Sequence, residues 1–179
     1  HLSFNAFVVD CHRIFINSGA LLVSATPNQV IGVLAHETGH IAGGHLSKLR
    51  SQLANAETMS ILALLVGIGA TFAASRAGNN IGGNAAAVAL QAPQSMMQRS
   101  LLAYQRQHED QADRAGVKFL TASGQSSKGM YDTFKRMADQ QLFAARGADP
   151  YLQSHPLASE RIAALAGIAK NQYWDKKDA

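Results

Sequence analysis

His36, Glu37 and His40 stand in the order H-E-x-x-H, as His36-Glu37-Thr38-Gly39-His40, inside a stretch that reads as helix. Residues four apart on a helix share one face, one turn apart, so both imidazoles can point at one cation. Glu37 lies beside the first of them, where a carboxylate can take a proton from a metal-activated water. Zinc peptidases use this arrangement. Five residues can also occur by chance, as a helix with two histidines and an incidental glutamate, so the context has to decide. Thr26-Pro27-Asn28-Gln29 supplies an N-cap, a proline suited to the first helical position and a Thr-x-x-Gln capping box. Val30, Ile31, Val33, Leu34 and Ala35 follow as an apolar run. The histidines are therefore expected inside a mostly buried helix with a defined start.

A catalytic zinc usually takes three protein ligands and keeps a fourth position open. His45 resembles the third ligand of the pattern H-E-x-x-H-x-x-G-x-x-H, and Gly43 matches its glycine, but His45 comes one residue too early. If the helix continues, five residues past His40 advance about 500° and carry His45 off the ligand face. A structural or supporting role behind the ligands is expected for it. Further along, Glu109 and Asp113 are spaced i, i+4 in a charged helical segment, Gln105 to Gly116. Two carboxylates on one face divide naturally into a metal ligand, Glu109, and an acceptor, Asp113, for the free N–H of a ligand histidine. Taken alone the same stretch reads as a solvated helix face, and His108 and Asp110 compete for the ligand role.

The chain resembles the catalytic domain of the bacterial HtpX and BepA family of zinc peptidases, which also includes the CAAX prenyl proteases. The marks are His36-Glu37-Thr38-Gly39-His40, then Glu109-Asp110-Gln111-Ala112-Asp113, then His155-Pro156 followed by Arg161. Asn5-Ala6-Phe7 is similar to the strand that precedes the active-site helix. The resemblance runs from about residue 4 to 166 and is closest to BepA-like domains. It implies one Zn2+ per chain held by His36, His40 and Glu109, with Glu37 as general base, and it sets Glu109 above its neighbours. It also places His155 near the metal, as an oxyanion donor or as a fourth ligand that keeps the enzyme latent; the alternative is a helix cap after Pro156. Arg161 would position that loop or assist the oxyanion. Asn5, Ala6 and Phe7 would bind substrate backbone by β-augmentation, which favours unfolded segments.

The 179 residues suit one domain with a sizeable core, and 47% hydrophobic against 16% charged residues is a globular balance. One cysteine, Cys11, excludes an intrachain disulfide and a thiolate-based metal site. The net charge of +4 is spread without aromatic interleaving, which argues against nucleic acid and is compatible with an anionic membrane surface. The chain begins at His1 and enters strand-like sequence at once, which reads as a fragment of a longer chain.

The elements expected to position these residues make an α+β fold, mostly α and gluzincin-like. Ser3 to Val9 and His12 to Asn17 read as a hairpin or two edge strands, and Ser18 to Ser24 as a short helix. The active-site helix is expected from Pro27 to about Arg50, with Gly43-Gly44 as a weak point. A second long helix, 94 to 122, carries Glu109 and ends by Gly124. A third, Ser127 to about Ala145, bears Met130, Phe134 and Met137 as a core stripe. A loop through Gly147, Asp149 and Pro150 leads to His155-Pro156, then a helix from Leu157 to Lys170 and a polar tail, Asp175 to Ala179. Met59 to Ser75 is 17 residues without a charge, followed by a Gly-, Asn- and Ala-rich stretch from Arg76 to Gln91 that reads as a loop. A core helix, an interfacial hairpin and a spanning helix are the readings of the apolar run. Residues 59–91 are expected as a mobile or membrane-proximal insertion in a single metallopeptidase domain, 1–179.

The functional expectation is a zinc-dependent endopeptidase of the bacterial periplasm that cleaves unfolded or misassembled envelope proteins. Contact with outer-membrane assembly machinery and with a membrane surface goes with it. The alternative is a zinc-stabilised chaperone or assembly factor in which cleavage is secondary. Glu37 discriminates, since a structural zinc site needs no base and tends to close with four ligands. A CAAX-type protease would need several spanning helices that this sequence does not show.

Overall fold

The computed structural model describes residues 2–10, 12–76, 83–143, 155–156, 159–171 and 173–174. Cys11, the loop through Gly147, Asp149 and Pro150, and the tail 175–179 lie outside the described residues. The chain divides into two compact units, His1–Leu46 with Arg106–Ala179, and Ser47–Gln105.

The first unit opens with an antiparallel hairpin, β1 Ala6–Val9 and β2 Arg13–Ile16, in which Ala6 pairs with Ile16 and Phe7 with Phe15. Alternation puts Ala6 inside, fully buried, and Phe7 outside, stacked on Phe15 at 5.7 Å between ring centroids. Helix α1, Ser18–Val23, follows, and then α2, Pro27–Ala42. The start of α2 is capped as its sequence requires. Thr26 accepts from the Gln29 N–H, and Gln29 Oε1 reaches back to the Ala25 N–H at 2.8 Å, one residue before the cap itself.

Helix α2 does not run on to Arg50. Gly43 caps it, Gly44 takes a left-handed φ of 61°, and a new helix, α3, begins at His45 and ends at Arg76. Gly44 supplies the positive φ that ends many helices, so the glycine pair is a corner rather than a soft spot within one helix. Helix α4, Gly83–Ala122, starts eleven residues before the expected position, because the alanine-rich sequence after Gly83 favours helix over loop. Gly124, at φ 72°, follows its end. Helix α5 is Lys128–Phe143 and α6 is Ser159–Ala169. Among the described residues the fold is six helices and one two-stranded sheet, the expected mostly helical α+β class.

The core of the first unit joins Ala6 of β1, Val33 and Ala35 of α2, Val117 and Leu120 of α4, the α5 stripe and Leu165 and Ala169 of α6. Met130, Phe134 and Met137 are the stripe, all within 3% of full burial, so it is core as expected. In the second unit, the described side chains of Leu53, Met59, Ile61, Leu62 and Leu65 are exposed. Among the described residues no helix is long and apolar enough to cross a membrane.

The packing of α2 on α4 is unusually close. A Cβ on Gly39 would stand 2.6 Å from the Ala112 carbonyl oxygen and 2.9 Å from its Cα, and Gly116 lies against the backbone of Ala35 and His36. Only residues this small let the two backbones meet. Gly39→Ala should therefore lower stability by about 1–3 kcal/mol, the usual cost of overpacking. Gly167→Ala is the control, because a Cβ there meets nothing within 4 Å. Urea denaturation of both variants checks this, and equal midpoints would mean the α2–α4 contact yields freely.

Candidate metal centre

Helix α2 presents His36, Glu37 and His40, α4 presents Glu109 and Asp113, and α6 presents Arg161. His155 sits in the segment ahead of α6. The contact at Gly39 and Ala112 holds the two carboxylates opposite the two histidines. His36 and His40 stand one turn apart with their Nε2 atoms 3.0 Å from each other. His36 Nε2 is 3.4 Å from Glu109 Oε2, and His40 Nε2 is 3.4 Å from Glu109 Oε1. His155 Nδ1 completes the group, 3.0 Å from Glu109 Oε1 and 3.4 Å from His36 Nε2. One donor atom from each of His36, His40, Glu109 and His155 lies within 4.8 Å of all the others.

These residues fit a tetrahedral dication. With bonds of about 2.0–2.1 Å, the donors of a tetrahedral zinc stand about 3.3 Å apart, close to the separations seen. The chemistry of the donors agrees. Burial pulls the His36 imidazolium down, but contact with Asp113 and Glu109 outweighs it and raises the pKa to about 9. Burial and the neighbouring His36 charge push His40 down to about 2, which leaves its lone pair available. Burial opposes ionisation of Glu109, yet His155, His36 and Arg161 hold its carboxyl well below the usual range. The pocket thus draws positive charge in, and a metal ion at the cluster would displace the proton on His36, because a ligand imidazole is neutral.

Asp113 stands 2.9 Å from His36 Nδ1. The approach is short but bent, since Nδ1 lacks a well-directed hydrogen bond. Burial opposes the Asp113 charge as well, and the Arg161 guanidinium overcomes it. Arg161 donates from Nε and Nη2 to the two Asp113 oxygens at 2.7 and 2.8 Å, a bidentate pair. Its Nη1 lies 2.7 Å from Glu109 Oε2 and donates to the Pro156 carbonyl at 3.2 Å. The guanidinium also lies over the Phe134 ring, 5.2 Å from its centroid, and the same ring meets His36 edge-on at 5.0 Å.

Glu37 is different. It is 1% exposed, and its Oε1 has no hydrogen-bond partner among the described residues. Burial raises its pKa above the usual carboxylate value, against the pull of His155 and His36. His155 Nε2 lies 3.5 Å from its Oε1. A buried carboxylate with an open oxygen beside a metal pocket is placed to receive a proton.

His45, at the first position of α3, lies behind the ligands: its Nδ1 is 3.0 Å from His40 Nδ1 and its Nε2 is 3.2 Å from Gln111 Oε1. The glycine corner puts it there, five residues past His40. His108 stacks on His45 at 4.2 Å and is not among the clustered donors, and Asp110 pairs with Arg114 at the surface. Of the competitors, only Glu109 reaches the cluster. Asn5, Ala6 and Phe7 are not among the clustered donors; β1 packs on α2, and the Asn5 carbonyl accepts from the Asn17 N–H. Gln111 and Gly39 were not singled out in the sequence, and Phe134 was read there only as core. Small residues at Ala112 and Gly116, one turn apart on the helix that carries Glu109, are the signal for the Gly39 contact.

Comparison with known proteins finds relatives over most of the chain. The chain is 28% identical over 158 residues to a Vibrio cholerae protein, which covers 88% of this chain and 31% of that one. It is 24% identical over 159 residues to the beta-barrel assembly-enhancing protease of Escherichia coli K12, covering 89% and 31%. It is 26% identical over 157 residues to the metalloprotease YcaL of the same strain, covering 87% and 54%. The chain thus spans about a third of the length of the first two. No solved structure matches it. The model of peptidase family M48 matches residues 1–169. With that match over nearly the whole chain, and a buried His-His-Glu-His cluster beside a glutamate, the chain belongs to peptidase family M48.

Proposed function

We propose that this chain is a zinc-dependent endopeptidase domain that cleaves unfolded or misassembled envelope proteins in the bacterial periplasm. The observation that carries the reading is Glu37, a buried carboxylate with an open oxygen beside a cluster of metal donors. His36, His40 and Glu109 would hold one zinc per chain. When bound, zinc supplies Lewis acidity, polarising a peptide carbonyl and lowering the pKa of water from about 15.7 towards 7. Glu37 takes the proton from the attacking water at Oε1 and returns it to the leaving amine nitrogen. Asp113 orients the His36 ring through Nδ1, and Arg161 holds Glu109, Asp113 and the Pro156 carbonyl in register.

The substrate class rests on two supports. The relatives named beta-barrel assembly-enhancing protease suggest envelope proteins on their way to the outer membrane, and contact with its assembly machinery. Among the described residues the sheet has two strands, so β1, which starts at Ala6 next to Asn5, has an edge to offer an extended peptide. The exposed apolar side chains of α3 support peripheral contact with a membrane, with residues 59–91 as the approach. A zinc-stabilised chaperone is the second reading, and a buried carboxylate without a hydrogen bond at Oε1 beside the metal donors weighs against it.

Glu37→Gln should keep zinc and fold and lose casein hydrolysis by at least about 10²–10⁴-fold. Glu109→Ala should lose zinc as well, by elemental analysis. Wild-type turnover in Glu37→Gln would move the base elsewhere, and full zinc content in Glu109→Ala would end the ligand assignment.

His155 is proposed as the fourth donor, which holds the resting enzyme back. Its Nδ1 lies at donor distance from Glu109 and His36, and its Nε2 lies towards Glu37. His155→Ala should then raise basal proteolysis. A fall in kcat of about 10²–10³-fold at constant KM would make His155 an oxyanion donor instead.

A further inference from the structure

His40 presents two nitrogens to two different neighbourhoods. Nε2 faces His36 Nε2 and Glu109, and Nδ1 faces His45 Nδ1 at 3.0 Å. A neutral imidazole that gives its Nε2 lone pair to a cation carries its proton on Nδ1. That proton needs an acceptor, because a buried donor without one is destabilising. His45 Nδ1 is in place, and it accepts only if the proton of His45 sits on Nε2. His45 Nε2 lies 3.2 Å from Gln111 Oε1, an oxygen that can only accept.

We infer that His45 is a positioning residue: it locks His40 in the tautomer that offers Nε2 to the metal, with Gln111 setting the direction. The inference rests on the zinc reading above and concerns what keeps one ligand correctly protonated. His40 Nδ1–H donates to His45 Nδ1, and His45 Nε2–H donates to Gln111 Oε1. Reversing the chain would put a proton on His40 Nε2 and block the lone pair.

The ring of His45 is held for this task. It is 3% exposed and stacks on His108 with 11° between the planes. A Cβ on Gly43 would clash severely with His45 Nε2, although the Gly43 backbone is ordinary right-handed helix. Gly44 turns the chain so that His45 doubles back, and Gly43 leaves room for the imidazole to lie over the end of α2. The glycine pair thus serves two distinct needs, one of backbone conformation and one of space. The two ligand histidines are oriented differently: His36 faces a carboxylate and His40 a neutral relay, which adds no charge to a pocket that already holds Glu109 and Asp113.

The test measures zinc dissociation constants by competition with a chromophoric chelator, using the 179-residue chain and its His45→Leu and His45→Asn variants. Long-range 1H–15N spectra of the zinc-loaded wild type read the His40 tautomer directly. His45→Leu should bind zinc about 10–100-fold more weakly. His45→Asn, whose amide oxygen can stand near the lost Nδ1, should recover most of that loss. The spectra should show the His40 proton on Nδ1. Wild-type affinity in His45→Leu, or an Asn variant as weak as the Leu one, overturns the inference and makes His45 a packing residue. A His40 proton on Nε2 in the loaded wild type overturns it even if a variant fails to fold. A wild type that binds no zinc overturns the metal reading and this inference with it.

Discussion

Glu109 and Asp113 place two carboxylates one turn apart on α4, both nearly buried, and the rest of the site is organised around their charge. Leaving either without a partner in so dry a place would be severely destabilising. The fold answers with Arg161 and two imidazoles. Arg161 grips Asp113 with two parallel hydrogen bonds and touches Glu109, His36 stands between the two carboxylates, and His155 Nδ1 lies 3.0 Å from Glu109 Oε1. A dication at the donors would complete the same balance. The close contact of Gly39 with Ala112 is what brings α2 within reach of these charges.

The three carboxylates of the site are separated by environment rather than by type. Glu109 and Asp113 are held ionised by cationic neighbours, while burial raises Glu37 and leaves its Oε1 open. Opposite shifts in adjacent groups sort ligands from bases. Phe134, fully buried in the α5 stripe, provides the apolar floor under both His36 and Arg161, so the core packing of α5 also sets the dielectric of the site.

Much of this was legible in the sequence because it is local. The start of α2 follows from Thr26, Pro27 and Gln29, and the pairing of His36 with His40 follows from helical periodicity. The α5 stripe follows from the spacing of Met130, Phe134 and Met137. The break at Gly43-Gly44 was visible only as a weakness, since a glycine pair inside a helical pattern does not announce its φ angles. The start of α4 was placed too late because glycine and asparagine outweighed the alanines that follow them.

By itself the sequence determined that a helix would carry two imidazoles and a carboxylate on neighbouring positions, since 3.6 residues per turn and a capping box are properties of adjacent residues. It also offered Glu109 as the remaining ligand, by its spacing from Asp113, with His108 and Asp110 in competition, and resemblance to a family set Glu109 above them. The tertiary structure brought Glu109 to the cluster, stacked His108 behind it and turned Asp110 to the surface, because which face of α4 meets α2 depends on where two backbones can approach. That depends on Gly39, Ala112 and Gly116 together, residues of two helices with more than seventy positions between Gly39 and the other two. The contacts of Arg161 and His45 arise the same way: each meets a partner distant in sequence or around a helix corner, and such partners exist only once the chain has folded.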